Sequence, residues 1–376
     1  MRIVDCRERT VGIGADMRNA SIGFGAMTAS ALALVSDRGV TGYAFDSIGR
    51  YGKGALLRER FFPRLLGAKP EELLDGDGLP DPAAFARAAM ADEKQGGHGE
   101  RPGAIGLIEA AAWDLRAKLQ EVPLWKSIAR YFGVAQARPE IAVYASCGHF
   151  RTDDVLTFEV KSAVDAGYTC VKIKAGGELD ADLKRLERAA AALPPSAAWA
   201  VDLNGALAPE RAARWFDAVE PFQLAWIEEP APPLDFERLR DYARMNTPPL
   251  ATGENLFSFD DARNLLRYGG LRGARDFIQV DPLLAYGVVE YARILEEYEA
   301  AGWRRTQFLP HAGHLFAAHC VAGLGLGMAE AAPDAGLPYG GYWDGVRVAD
   351  GRVTIPEAPG AGYERKANLF ALLETP

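Results

Sequence analysis

Two lysines, four carboxylates and a histidine stand at near-constant intervals in the second half of this chain: Lys172 and Lys174, Asp202, Glu228, Glu254, Asp281 and His311. From Lys174 onward the steps are 28, 26, 26, 27 and 30 residues, and each landmark closes a short apolar run. Glu330 is a looser last member of the series. One strand, one helix and two short loops occupy about this interval, the repeat of a (β/α) barrel. Residues that end successive barrel strands point into one shared mouth. The spacing therefore brings acids, ammonium groups and an imidazole into a single pocket.

An acid at a strand end can simply cap the next helix. Three of them at 26-residue steps, Asp202, Glu228 and Glu254, would instead repel one another unless a cation lay between them. An all-oxygen donor set without cysteine or paired histidine selects a hard ion, Mg²⁺ first and Mn²⁺ second. Glu229 and Asp235 read as neighbours of the trio or surface groups. In Lys172-Ile173-Lys174, strand alternation puts both ammonium groups on one face. Two adjacent cations, partly buried, are each expected to have a lowered pKa, which suits a lysine to general-base work. Asp281 and His311 end adjacent strands, so the carboxylate can fix the imidazole tautomer and raise its pKa, as an acid requires. The lysines and His311 then face each other across the mouth. His314 reads as a helix-start or loop residue, and His98, His149 and His319 as structural or surface groups.

The positioning elements follow from the apolar pattern. Strands are expected at Ile141–Ser146, Val171–Lys174, Ala198–Asn204, Leu224–Glu228, Leu250–Glu254, Phe277–Asp281, Thr306–His311 and Leu324–Glu330. Most are continuous apolar runs, as parallel strands buried on both faces require. The last is weakened by Gly323, Gly325 and Gly327. Helical patterns at Asp182–Ala192 and Phe236–Met245 lie between them. Ahead of this, Met27–Ser36 and Val40–Ser47 flank an Asp37-Arg38-Gly39 turn as a hairpin. An amphipathic helix follows through about Lys118, with Ile105, Ile108, Ala112, Leu115 and Leu119 at helical spacing. The fold class is α/β: a (β/α)7β TIM-like barrel over residues 126–376 with an N-terminal α+β capping domain over 1–125. The C-terminal segment is free to return to the cap.

A barrel of roughly 250 residues plus a smaller partner accounts for the 376-residue length. A net charge of −9 argues against a nucleic-acid partner. The four cysteines, Cys6, Cys147, Cys170 and Cys320, have no zinc or redox spacing. No apolar stretch suggests a signal peptide or a membrane span, so a cytoplasmic setting is expected. The expected assembly is a homo-oligomer. In the cap, Arg50 within GRYGKG and Lys94 before GGHG are cations that, pointed inward, would meet a carboxylate of a small acid substrate.

The ordered set VKIKAGG, AVDLNG, WIEEP, ATGENLFS, QVDPLLAYG and LPHAGH resembles the enolase superfamily in its mandelate racemase-like branch, over the full length of the chain. The resemblance implies a capping domain over a (β/α)7β barrel, Mg²⁺ on Asp202, Glu228 and Glu254, and abstraction of a proton α to a carboxylate. By motif match it implies Lys174 as the base, Asp281–His311 as a dyad, and Glu330 as a partner of the substrate carboxylate. GRYGKGALLRERFFPRLL, EKQGGHGERPGAIG and PYGGYWDGV look closest to the D-tartrate dehydratase family. There the lysine takes the α-proton and the histidine protonates the departing β-hydroxyl, giving a 2-keto acid. The chain departs from that pattern at DSIGRYG, where Asp46 and Ile48 stand in place of neutral polar groups, and at SCGHF. Losing an amide at Ile48 removes a partner for a substrate oxygen and is expected to shift specificity.

The mechanism expected from these parts has Lys172 adding positive charge and Lys174 taking the proton. His311 then protonates the leaving hydroxide, and the product is that of an acid-sugar or hydroxy-diacid dehydratase. The same parts could return a proton from the opposite face, as a racemase or epimerase of a hydroxy acid does. A non-catalytic acid-binding protein would not need base, acid and metal set together. A Schiff-base aldolase using Lys174 would leave the acid trio unexplained.

Overall fold

The computed structural model describes residues 1–47, 50–96, 99–150, 153–332 and 339–374. It opens with a three-stranded antiparallel sheet in the order β1 (Ile3–Gly12), β2 (Thr28–Ser36), β3 (Thr41–Phe45). The hairpin expected from the Asp37–Gly39 turn joins β2 to β3, with Gly39 at φ 72°. β1 was not expected, because its sequence VDCRERTV is charged. It is a sheet edge whose side chains alternate between half-buried and exposed, so polar residues suffice there.

The helix Arg101–Leu119 is not amphipathic in the way its spacing suggested: nearly every residue from Pro102 to Ala117 is buried. It is wedged between the sheet and the barrel, and glycines permit the approach on both sides. A Cβ on Gly42 of β3 would collide with the Ala111 carbonyl, and one on Gly106 would collide with the Leu283 carbonyl.

The barrel follows: β4 (Glu140–Ser146), β5 (Cys170–Lys174), β6 (Ala198–Asp202), β7 (Ile227–Glu228), β8 (Leu250–Thr252), β9 (Phe277–Ile278) and β10 (Met328–Ala331). They form one curled parallel sheet in the order β10-β4-β5-β6-β7-β8-β9, with a helix after each of β4 to β9, and the last strand pairs with the first. The expected strand Thr306–His311 is absent among the described residues. Residues Arg305–Gln307 form a 3-10 turn, and the position is filled by Phe308 alone, bridged to Ile278 and accepting from Gly327 N at 3.0 Å. Pro310, lacking an N–H, could not extend a ladder there. The run expected as Leu324–Glu330 starts later, because Leu315–Leu324 is helix and Gly325, at φ 70°, ends it.

Period-two alternation makes two layers inside the barrel. Tyr144, Cys170, Ala200, Trp226, Ala251 and Leu309 pack together as an apolar floor. One step further along their strands come Lys172, Asp202 and Glu228. After β10 the chain returns: β11 (Arg352–Thr354) pairs antiparallel with β4, and the helix Ala367–Leu373 packs on the N-terminal sheet, with the Tyr43 and Phe370 rings 5.7 Å apart. Among the described residues no helix is long and apolar enough to cross a membrane.

Candidate active site

Three landmark residues end their strands in register: Lys174 lies opposite Asp202, and Asp202 opposite Glu228. Glu254 follows β8 through Gly253, whose φ of 130° turns the chain toward the mouth. Asp202, Glu228 and Glu254 are all buried, and each offers an oxygen within 4.8 Å of the other two. Asn204 holds Asp202 through its backbone N–H at 2.9 Å and its amide at 3.2 Å. The Trp226 indole at 3.2 Å and the Gln279 amide at 2.5 Å both donate to Glu228. Burial, opposed by Lys172 and reinforced by Asp202, pushes the Glu228 carboxyl up to about 7. Three crowded, aligned carboxylates on a rigid floor form a donor set that suits a hard divalent cation.

The lysines behave opposite to the sequence-based expectation of lowered pKa values. Burial does press both down, but Lys172 is raised well above its ordinary value by Glu228 and Glu330, and Lys174 is raised by Asp202. Lys172 Nζ lies 2.5 Å from Glu228, 3.0 Å from Glu330 and 3.8 Å from Asp202, while Lys174 Nζ is paired directly with Asp202. Considering only the neighbouring lysine missed the acids contributed by other strands.

Across the mouth, His311 Nδ1 is 3.4 Å from Asp281 and its Nε2 3.4 Å from Glu254. Burial disfavours the imidazolium, but Glu254, Asp281 and Glu330 outweigh it, so the pKa rises as expected. Asp281 is shared more widely than the sequence suggested. It accepts from Ser47 Oγ at 2.7 Å and from Leu283 N at 2.7 Å, and lies 3.4 Å from His314 Nε2. His314 caps its helix by accepting from Ala317 N at Nδ1, so its proton sits on Nε2, aimed at Asp281. Glu330 lies on the lysine side and accepts from Ala312 N at 2.9 Å.

The remaining expected groups divide. Arg50 reaches the mouth, donating to the Asn255 side chain at 2.5 Å and the Glu254 carbonyl at 3.3 Å. Lys94 does not: it is exposed, and among the described residues its contact is through its carbonyl, which accepts from Arg101 at 2.8 Å. Ile48 lies outside the described residues, as does His98. Asp46 is consumed by an ion pair with the buried Lys53 at 2.8 Å. Glu229 is buried and accepts from Asn255 at 2.8 Å; Asp235 caps its helix. His319 is structural, bonded to Trp125 N and Ala361 O, both at 3.1 Å. His149 is buried close to the lysines. Sequence reasoning placed His314 at a helix start, as observed, but not its contact with Asp281, and it missed Ser47 and Gln279. Only Gln279 carried a signal: it stands two residues before Asp281, on the same face of the run.

A model described as "Enolase C-terminal domain-like" matches residues 156–368. The D-galactonate dehydratase family member ManD of Chromohalobacter salexigens is 26% identical over 311 residues, covering 71% of this chain and 74% of the relative. An L-talarate/galactarate dehydratase of Salmonella typhimurium is 30% identical over 230 residues, 60% of this chain and 55% of the relative. Among solved structures, a racemase from Streptomyces coelicolor with bound magnesium superposes with a TM-score of 0.79 at 23% identity, over 98% of this chain and 99% of the racemase.

Proposed function

The chain belongs to the enolase C-terminal domain-like family, and from that premise we propose that it is a Mg²⁺-dependent hydro-lyase acting on an acid sugar or hydroxy-diacid. In this reading residues 1–125 cap the mouth and 126–376 form the barrel. One observation carries the proposal: Lys174 and His311 approach the same acid trio from opposite sides, Lys174 on Asp202 and His311 on Glu254.

Asp202, Glu228 and Glu254 are the residues that would hold Mg²⁺, with Mn²⁺ as an alternative. The ion supplies Lewis-acid stabilisation of charge building up on the substrate carboxylate. Lys174 is paired with Asp202; with that carboxylate taken by a cation, the lysine would be free to give up its proton and, as the neutral amine, take the α-proton, breaking the C–H bond. Lys172 adds positive charge beside the carboxylate, and Glu330 hydrogen-bonds to it. His311, kept protonated by Asp281, gives its proton to the β-hydroxyl as the C–O bond breaks. Water leaves, and the enol tautomerises to a 2-keto acid. Arg50 belongs to the cap side of the site, and Ile48 is proposed as a specificity position beside it.

The named dehydratases among the relatives support elimination, and the magnesium-bound racemase supports the metal. A tartrate-like diacid is the finer reading, from the GRYGKG and PYGGYWDGV segments; galactarate-type acids are its competitor. A cytoplasmic homo-oligomer is part of the same proposal. The test is a panel of tartrates, acid sugars and aldarates with Mg²⁺, read as 2-keto acid formation and as exchange of the α-hydrogen in D₂O. Keto-acid formation that depends on added metal is expected. Exchange with inversion and no keto acid would make the protein a racemase or epimerase, and neither reaction on any member would overturn the proposal.

A further inference from the structure

The end of the first barrel strand carries a histidine that the proposed chemistry leaves unused. β4 runs between β5, with its two lysines, and β10, with Glu330. Beyond Ser146 the chain keeps in step with β5: Cys147 N donates to Lys172 O at 2.9 Å, and Lys174 N donates to Gly148 O at 3.4 Å. His149 is the next residue, on the rim beside Lys174. Gly148, at φ 64°, makes the turn where a Cβ would press on Leu156 and Ile173. Arg185 fixes the segment: its Nε donates to Lys174 O at 2.7 Å, and its guanidinium reaches the carbonyls of Gly148 and His149.

His149 is 8% exposed, and its ring meets Phe24 edge-on at 5.7 Å. Among the described residues the His149 contacts are to its carbonyl and to the face of its ring, and neither ring nitrogen has a hydrogen-bond partner, so both stay open to a ligand. Burial, then the charges of Lys174 and Lys172, hold its pKa down to about 3. The ring is therefore neutral at working pH, with one donor and one acceptor nitrogen.

We propose that His149 contacts the substrate on the Lys174 side and reads a hydroxyl there. This rests on the acid-substrate reading above. A hydroxyl both donates and accepts, so it matches a neutral imidazole. A carboxylate would be drawn to Lys172 and the acid trio's cation instead.

The experiment uses a hydroxyl ladder on one diacid skeleton: D-, L- and meso-tartrate, malate and succinate. Dissociation constants are measured by calorimetry with Mg²⁺ present, and KM where an acid is turned over. The proteins are wild type, His149→Phe, which keeps an aromatic face for Phe24, and His149→Gln, which keeps a donor and an acceptor. Wild type is expected to lose about tenfold in affinity at the step that removes the hydroxyl read by His149. In His149→Phe that gap shrinks to about twofold or less, in His149→Gln part of it returns, and Mg²⁺ affinity without acid is unchanged in both. His149→Ala gives the same comparison if the phenylalanine variant does not fold. A wild type without such a gap, a gap that survives in His149→Phe or His149→Ala, or Mg²⁺ affinity lost along with it, overturns the assignment. If the gap collapses as expected while wild type neither dehydrates nor exchanges any acid, His149 stands and the hydro-lyase reading falls.

Discussion

Buried acids occupy two regions of this molecule and are held in opposite ways. At the seam between the N-terminal half and the barrel, Glu109 and Asp114 on the helix Arg101–Leu119 are fully buried. Glu109 accepts from Val288 N at 2.5 Å and Val289 N at 2.9 Å, capping the helix Val288–Ala300, whose own N-cap is Gly287 and has no side chain to do so. Asp114 accepts from Tyr43 N at 2.8 Å and Ala361 N at 2.6 Å, and pairs with Lys118 at 2.7 Å. At the mouth, Asp202 and Glu228 are equally buried, but their neighbours are other acids and movable side-chain cations. Burial of a carboxylate is thus no mark of function by itself. Each seam acid accepts from two backbone N–H groups that cannot leave. A mouth acid is crowded by like charge and can exchange its partners for a ligand.

The sharpest way to break this contrast is to neutralise acids in both places. Asp202→Asn, Glu228→Gln or Glu254→Gln should reduce Mg²⁺ binding and turnover to background with the fold retained, as read by calorimetry, activity and circular dichroism. Full activity of EDTA-treated protein without added metal would remove the distinction. The next largest effect separates the two sides of the mouth. Lys174→Ala should lower both α-hydrogen exchange and dehydration by roughly 10²–10⁴-fold. His311→Asn should lose dehydration comparably while exchange continues, because Lys174 remains. Dehydration that survives only in the histidine variant would show the acid to be another group.

The seam variants should do the reverse. Glu109→Gln or Asp114→Asn is expected to cost about 1–3 kcal/mol in urea unfolding, by leaving a buried N–H unsatisfied. Mg²⁺ affinity and kcat per folded molecule should be unaltered; a specific loss of metal binding would erase the difference between the regions. The last comparison is in pH dependence. Burial, opposed by the two backbone bonds, raises the Glu109 carboxyl from 4.5 to about 8. The folded state therefore holds this proton after the unfolded chain has released it. Its contribution to stability is fullest below pH 4.5 and declines toward pH 8, by at most about 1.4 kcal/mol per unit. Urea midpoints at pH 5 and pH 8 should differ less in Glu109→Gln than in wild type, and an equal difference would show that Glu109 is not the titrating group.

What the sequence determined by itself was the scaffold of the mouth. Strand period and repeat length depend only on local backbone geometry, so the interval from Lys174 to His311 placed each group at the end of its run without knowledge of any contact. Asp202 and Glu228 indeed end their strands, and the oxygen-only donor set was legible from residue types alone. Strand lengths were not: β7, β8 and β9 pair over only two or three residues each, shorter than the apolar runs that announce them. The edge strand Ile3–Gly12 was hidden for a related reason: a half-exposed strand carries no apolar run.

Tertiary structure alone decided who meets whom. Ser47 reaches Asp281 across 234 residues of sequence, and His314 joins the same carboxylate because its helix begins there. The lysine pair illustrates the limit most directly. Its sequence neighbours are like charges that would lower both pKa values, whereas its neighbours in space are Asp202, Glu228 and Glu330, which raise them. Electrostatic energy depends on distance through space rather than along the chain. The identity of the groups is therefore written in the sequence, while their charge states follow from the folding that brings the strand ends together.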